Sequence, residues 1–239
     1  MQVHVYDNAQ QVGQAAATLF AAQLLRKPDS VLGLATGSSP IGCYQQLIAW
    51  HQAGILDFSQ CISYNLDEYC GLPVEHECSY HAFMQDQLFH AINMKETHVP
   101  DGNAEDLQAE CRRYDAAIQA AGGIDMQLLG IGRNGHIGFN EPAAKMTWGT
   151  QIVNLTESTI QANRRFFESE NDVPRQAISL GIGGIMNAKE IVLIAMGEDK
   201  AQAIRDTVKG DINPMVPASI LRAHPHVTIL VDKAAAKLL

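Results

Sequence analysis

Ile191–Met196 reads IVLIAM and Val227–Val231 reads VTILV. Short, nearly continuous apolar runs of this kind leave no polar face for water. A strand with one wet face alternates. A strand that does not alternate is covered on both sides, as in a parallel sheet between two helical layers. Comparable runs are Val3–Tyr6, Val31–Ala35, Ile62–Asn65, Met126–Ile131 and Ala177–Gly181. Amphipathic helical stretches separate them: Ala9–Leu25 behind an Asn8 cap, Pro40–Ala53 with Pro in its first turn, Ser79–Ala91, Glu105–Ala121, Asp199–Val208 and Ala218–Ala223, with a last helix at the C-terminus. This alternation predicts an α/β fold, a doubly wound, mostly parallel sheet flanked by helices.

The chain has 239 residues, room for a large core. With no repeat, low-complexity tract or linker, the expectation is one domain over residues 1–239. A net charge of −9 without a basic run argues against nucleic acid and anionic membrane as partners. The first residues, MQVHVYDNAQ, lack a signal-peptide pattern, and no apolar stretch reaches spanning length. Five cysteines, odd in number and without a CxxC pair, read as reduced thiols in a cytoplasmic protein. His76, Cys78 and His81 lie close together, but no second cluster completes a zinc spacing, so no metal is expected.

In sheets of this class ligands sit outside the carboxyl ends of the strands, so the residues that follow each strand matter most. Four strand ends carry chemistry. In LATGSSP, residues 34–40, small residues precede a helix start. Backbone N–H groups and the helix N-terminus suit a phosphate there, and Thr36, Gly37, Ser38 and Ser39 would bind it. A capped turn has the same composition. In NLDEYCGLP, Asp67 and Glu68 follow a buried strand, and alternation turns only one of them to the cleft. A partly desolvated Asp67 is a base; a loop carboxylate capping the next segment is the alternative. In GIGRNGHIGFNEP, residues 130–142, glycines surround His136, which both takes and gives protons near neutral pH. Asn134 and Glu141 are placed to orient its ring. After the fourth strand, Lys200 stands at a helix start against the dipole preference, which an anionic substrate would balance. Arg165 in NRRFF is a second anion clamp. The residues alone point to a small-molecule α/β enzyme that moves protons on a phosphorylated, carbonyl-forming metabolite.

At these residues the chain resembles the glucosamine-6-phosphate deaminase family. LATGSSP, NLDEYCGLP, GIGRNGHIGFNEP, NRRFF and GEDKA match in order along nearly the whole chain. The resemblance implies a Rossmann-like fold, no cofactor, and conversion of glucosamine 6-phosphate and water to fructose 6-phosphate and ammonia. It implies that His136 opens the sugar ring, assisted by Glu141 and Asn134. It implies that Asp67 carries the proton from C2 to C1, while Gly37–Ser39, Arg165 and Lys200 hold the phosphate.

Two departures stand out. Some members carry Asp where this chain has Asn134. Larger members are hexamers activated by N-acetylglucosamine 6-phosphate through polar and basic residues; here the matching positions are Ala144, Gln151 and Val153. A non-allosteric enzyme is therefore expected, a monomer or at most a weak homo-oligomer. Ala143–Gly149, short of apolar periodicity, is the lid candidate. The rival readings are 6-phosphogluconolactonase, against which HIGFNEP and LDEY argue, and a sugar-phosphate sensor, which would need a DNA-binding module.

Overall fold

A computed structural model describes residues 1–239 apart from 158, 159, 162, 163, 165, 166, 168 and 170–172. Seven parallel strands form the central sheet: β1 (Gln2–Tyr6), β2 (Val31–Leu34), β3 (Ile62–Asn65), β5 (Glu96–His98), β6 (Met126–Leu129), β9 (Glu190–Ala195) and β10 (Val227–Asp232). Their order across the sheet is β1-β10-β9-β6-β2-β3-β5. After β2 the chain moves outward through β3 to β5; after β6 it moves the other way through β9 to β10. The reversal lies between β2 and β6, where a crevice opens at the carboxyl ends.

The buried runs divide their side chains between two layers. On β9, Val192 and Ile194 join α1 (Ala9–Arg26), α2 (Ile41–Gln52) and α3 (Tyr80–Gln87) in one core. Ile191, Leu193 and Ala195 join α4 (Leu107–Ala120), α5 (Ile182–Met186) and α6 (Ala201–Lys209) in the other. Asn8 caps α1 by accepting the Gln11 N–H, as the sequence predicts. Where α1 crosses α2, a Cβ on Gly13 would stand 2.8 Å from the Gly42 carbonyl carbon. The two helices are closer than a side chain would allow.

A second, antiparallel sheet departs from the sequence reading. It joins β4 (Asp67–Tyr69), β8 (Gln176–Ser179) and β7 (Gln151–Asn154) in the order β4-β8-β7. Ala177–Gly181, expected in the parallel sheet, therefore belongs elsewhere. Its Ala177 joins a satellite core of Tyr69, Leu72, Phe139, Leu155 and Val173, while Leu180 joins the core of α4, α5 and α6. Residues Pro217–Ala223 form a 3-10 turn, not an α-helix. The expected C-terminal helix is a run of turns after β10, too short a segment to propagate a helix alone. The segment 143–149 is tied to α5: Ile182 N–H donates to Thr147 O at 2.9 Å and Gly183 N–H to Trp148 O at 2.8 Å.

Among the described residues no helix is long and apolar enough to cross a membrane.

Candidate active site

The four chemistry-bearing strand ends belong to four adjacent strands, β9, β6, β2 and β3. All are parallel, so their carboxyl ends open on one edge.

After β2, Gly37 adopts φ +87°, a turn that L side chains resist, with open space where a Cβ would be. Pro40 then starts α2 without a side-chain cap. Side chains cap α1, α3 and α4, through Asn8, Ser79 and Asp106. The first-turn N–H groups of α2, with no intrahelical acceptor, face the loop and add positive potential to it. Ser38 is exposed and Ser39 half-buried. Thr36 is half-buried and bonded through its side chain to the Tyr80 hydroxyl.

After β6, the chain reverses round His136. Gly132 N–H donates to His136 O at 2.9 Å and Gly135 N–H to Gly132 O at 3.0 Å. The imidazole lies over Gly132, where an added Cβ would fall 2.3 Å from Cε1 and 2.4 Å from Nδ1. Glu141 Oε1 is 3.1 Å from His136 Nδ1. That nitrogen still has no aligned hydrogen bond, so the carboxylate lies close beside the ring without bonding it. Asn134 does not orient the ring. It donates from Nδ2 to Glu141 Oε2 at 2.6 Å and accepts the His136 backbone N–H at 3.2 Å. It orients the carboxylate that orients the histidine.

Asp67 sits on β4, just past β3, only 6% exposed. Burial pushes its carboxyl up to about 8, with a further push from Glu68. Its neighbour faces the other way, as alternation requires. Glu68 accepts N–H groups of Tyr69 and Tyr80 on Oε1 and of His81 on Oε2, at 2.8, 2.9 and 2.9 Å.

Contacts join the loops into one site. A Cβ on Gly130 would lie 3.8 Å from Ser39 Oγ, and one on Gly138 3.6 Å from Asp67 Oδ2. Arg133 Nε donates to Asp199 Oδ2 at 2.9 Å, linking the His136 loop to the turn that carries Lys200. Lys200 is half-buried at the head of α6. Arg165 lies outside the described residues.

Three contributors escaped the sequence reading. Tyr80 places its hydroxyl by Thr36 and, at 3.3 Å, by the Tyr69 hydroxyl. Ser179 accepts the Phe139 N–H at 3.0 Å. Asn140 donates to Ile137 O and Leu180 O, both at 2.9 Å, fixing the Gly138 turn. Asn140 lies inside the quoted motif, and the signal was there; Tyr80 and Ser179 reach the site only through the fold.

Fold and site together define an α/β protein of the sugar-phosphate enzyme class, with a histidine beside a carboxylate and a buried aspartate at the same edge of the sheet. The chain belongs to the glucosamine-6-phosphate isomerase/6-phosphogluconolactonase family, whose pattern matches residues 6–230. It is 51% identical over 241 aligned residues to a glucosamine-6-phosphate deaminase of Alkaliphilus oremlandii, covering 100% of both chains. A solved monomeric glucosamine-6-phosphate deaminase is 46% identical, with a TM-score of 0.97 and 100% of both chains covered. The 6-phosphogluconolactonase of Trypanosoma brucei shares the fold, with a TM-score of 0.77 at 19% identity over 100% of this chain and 98% of that one.

Proposed function

We propose that this chain is a glucosamine-6-phosphate deaminase, forming fructose 6-phosphate and ammonia from glucosamine 6-phosphate and water in amino sugar breakdown. Full-length identity to deaminases and the placement of Asp67 opposite the His136 loop carry this reading.

The uncapped start of α2, the loop Thr36–Ser39 and Lys200, together with Arg165, hold the phosphate. Remote binding energy then fixes the reacting carbons. His136, with Glu141 beside its ring, takes the proton of the anomeric hydroxyl and returns one to the ring oxygen, so the C1–O5 bond breaks. Imidazole suits this oxygen-to-oxygen transfer. Asn134 is a positioning residue that sets Glu141. Asp67 then takes the proton from C2. The electron pair left behind forms the C1–C2 double bond as the C1 oxygen gains a proton, giving an enolamine. Asp67 returns its proton to C1 and the nitrogen lone pair forms the C2 imine. Water adds at C2, and ammonia leaves with the C–N electrons after protonation, giving the ketone. A carboxyl pushed up to about 8 is a far stronger base toward a carbon acid than an exposed one.

Residues 1–239 act in this reading as one sugar-phosphate domain, a monomer working in the cytoplasm. The solved monomeric deaminase supports the single-chain state, and the lack of a disulfide among the described residues suits a reducing compartment. Incubation with glucosamine 6-phosphate should release ammonia, whereas hydrolysis of 6-phosphogluconolactone without ammonia release would refute the assignment. Asp67→Asn should abolish turnover while phosphate binding persists; near-normal turnover would place the base elsewhere.

A further inference from the structure

We infer that Glu68 is a positioning residue for the base: its fixed negative charge and its grip on α3 hold Asp67 as a proton acceptor facing the sugar. This rests on Asp67 being the base. The two carboxylates are neighbours on β4, both buried to 6% exposure, yet they are treated differently. Glu68 receives three backbone N–H bonds, two from the first turn of α3, so its anion is stabilised by donors and by the helix end. Among the described residues no donor reaches the Asp67 carboxyl. Burial raises both carboxyls, but at Glu68 three N–H donors oppose that push and at Asp67 none does, so Glu68 ionises more readily and its charge opposes ionisation of Asp67.

The other titratable groups around Asp67 are phenols. Tyr69 shares its face of β4, Tyr80 comes from α3 and Tyr114 from α4. Burial drives all three above their ordinary range, so they are neutral at working pH. Glu68 is the carboxylate whose charge acts on Asp67.

The same three bonds do mechanical work. By holding the Tyr80 and His81 N–H groups, Glu68 pins the start of α3 to β4. Tyr80 then reaches Thr36 with its hydroxyl. One carboxylate thus couples the base to the loop that receives the phosphate.

The test compares full-length wild type, Glu68→Gln and Glu68→Asp. Loss of charge in Glu68→Gln should move the acid limb of kcat/KM down by about one pH unit and lower the pH-independent kcat about 10-fold, with KM little changed. Glu68→Asp keeps the charge on a shorter arm; its acid limb should stay in place while its Tm falls. A readout free of turnover is the infrared carbonyl band of protonated Asp67, assigned by its loss in Asp67→Asn. Its titration midpoint should shift with Glu68→Gln as the acid limb does. If the midpoint is the same in Glu68→Gln and wild type, the inference is overturned. Turnover by Asp67→Asn would instead overturn the role of Asp67 as base, and the infrared midpoint would still decide the effect of Glu68.

Discussion

His136 keeps its place because residue 132 has no side chain. Three ring atoms lie within 2.5 Å of where a Cβ on Gly132 would stand, so Gly132→Ala must drive the imidazole off the sugar. A displacement of about 1 Å costs roughly 100-fold in kcat/KM, measurable by ammonia release, while circular dichroism should show the fold retained. Asp67 makes a different demand on the protein. Its folded pKa, about 8, is raised above its ordinary value of 3.8, so the folded state binds the extra proton between those limits. Stability is therefore fully present below the unfolded pKa and declines as pH rises toward 8. Asp67→Asn removes this dependence. Near pH 7.5 its Tm should exceed wild type by several degrees, within a ceiling of ~6 kcal/mol, and near pH 4 the gap should nearly close. A dead enzyme that is more stable only at neutral pH is the expected signature of a buried base. Equal Tm differences at both pH values would contradict it.

At the scale of elements, the phosphate loop depends on a helix crossing far from the chemistry. Gly13 on α1 meets the Gly42 backbone on α2, so Gly13→Ala forces α2 away. Overpacking of this kind costs about 1–3 kcal/mol. Because the N-terminus of α2 moves with it, KM should rise more than kcat falls, checked by steady-state kinetics beside thermal unfolding. This dependence was invisible in the sequence, since one glycine in a helix reads only as a weak propensity. Six of the seven parallel strands were legible for a physical reason; β5 (Glu96–His98), short and largely exposed, was not. Strands such as Ile191–Met196 are buried on both faces, and burial is written in composition. The antiparallel sheet was not. Asp67–Tyr69 is three residues long and carries two carboxylates, Gln151–Asn154 is half-polar, and pairing direction has no local signature. The nearness of His136 to Glu141 was legible because both lie in one contiguous motif. Asn134 was assigned to the ring and instead holds the carboxylate, because side-chain direction within a glycine-rich loop is set by turns such as Gly135 at φ +83°.

For the whole molecule, adjacency in the sheet brings four distant segments of one chain to one edge. A groove beside Glu141 is lined by Pro142, Lys145, Met146, Gln151 and Val153. Gln151 there donates its side-chain amide to Asn140 Oδ1 at 3.2 Å, so it serves the Gly138 turn within this fold. Lys145 is exposed, and Ala144 and Val153 bring no charge. A sugar phosphate bound in that groove would meet little to hold its dianion, and an effector shifts an equilibrium only through a difference in binding. Initial rates should therefore follow a hyperbola in glucosamine 6-phosphate, with a Hill coefficient of about 1. N-acetylglucosamine 6-phosphate at millimolar concentration should leave that curve in place. Light scattering across the assay concentrations should give one chain's mass. Sigmoidal kinetics relieved by the acetylated sugar would show that the groove binds an anion after all, and a rise in mass with activation would assign the effect to assembly rather than to the single chain.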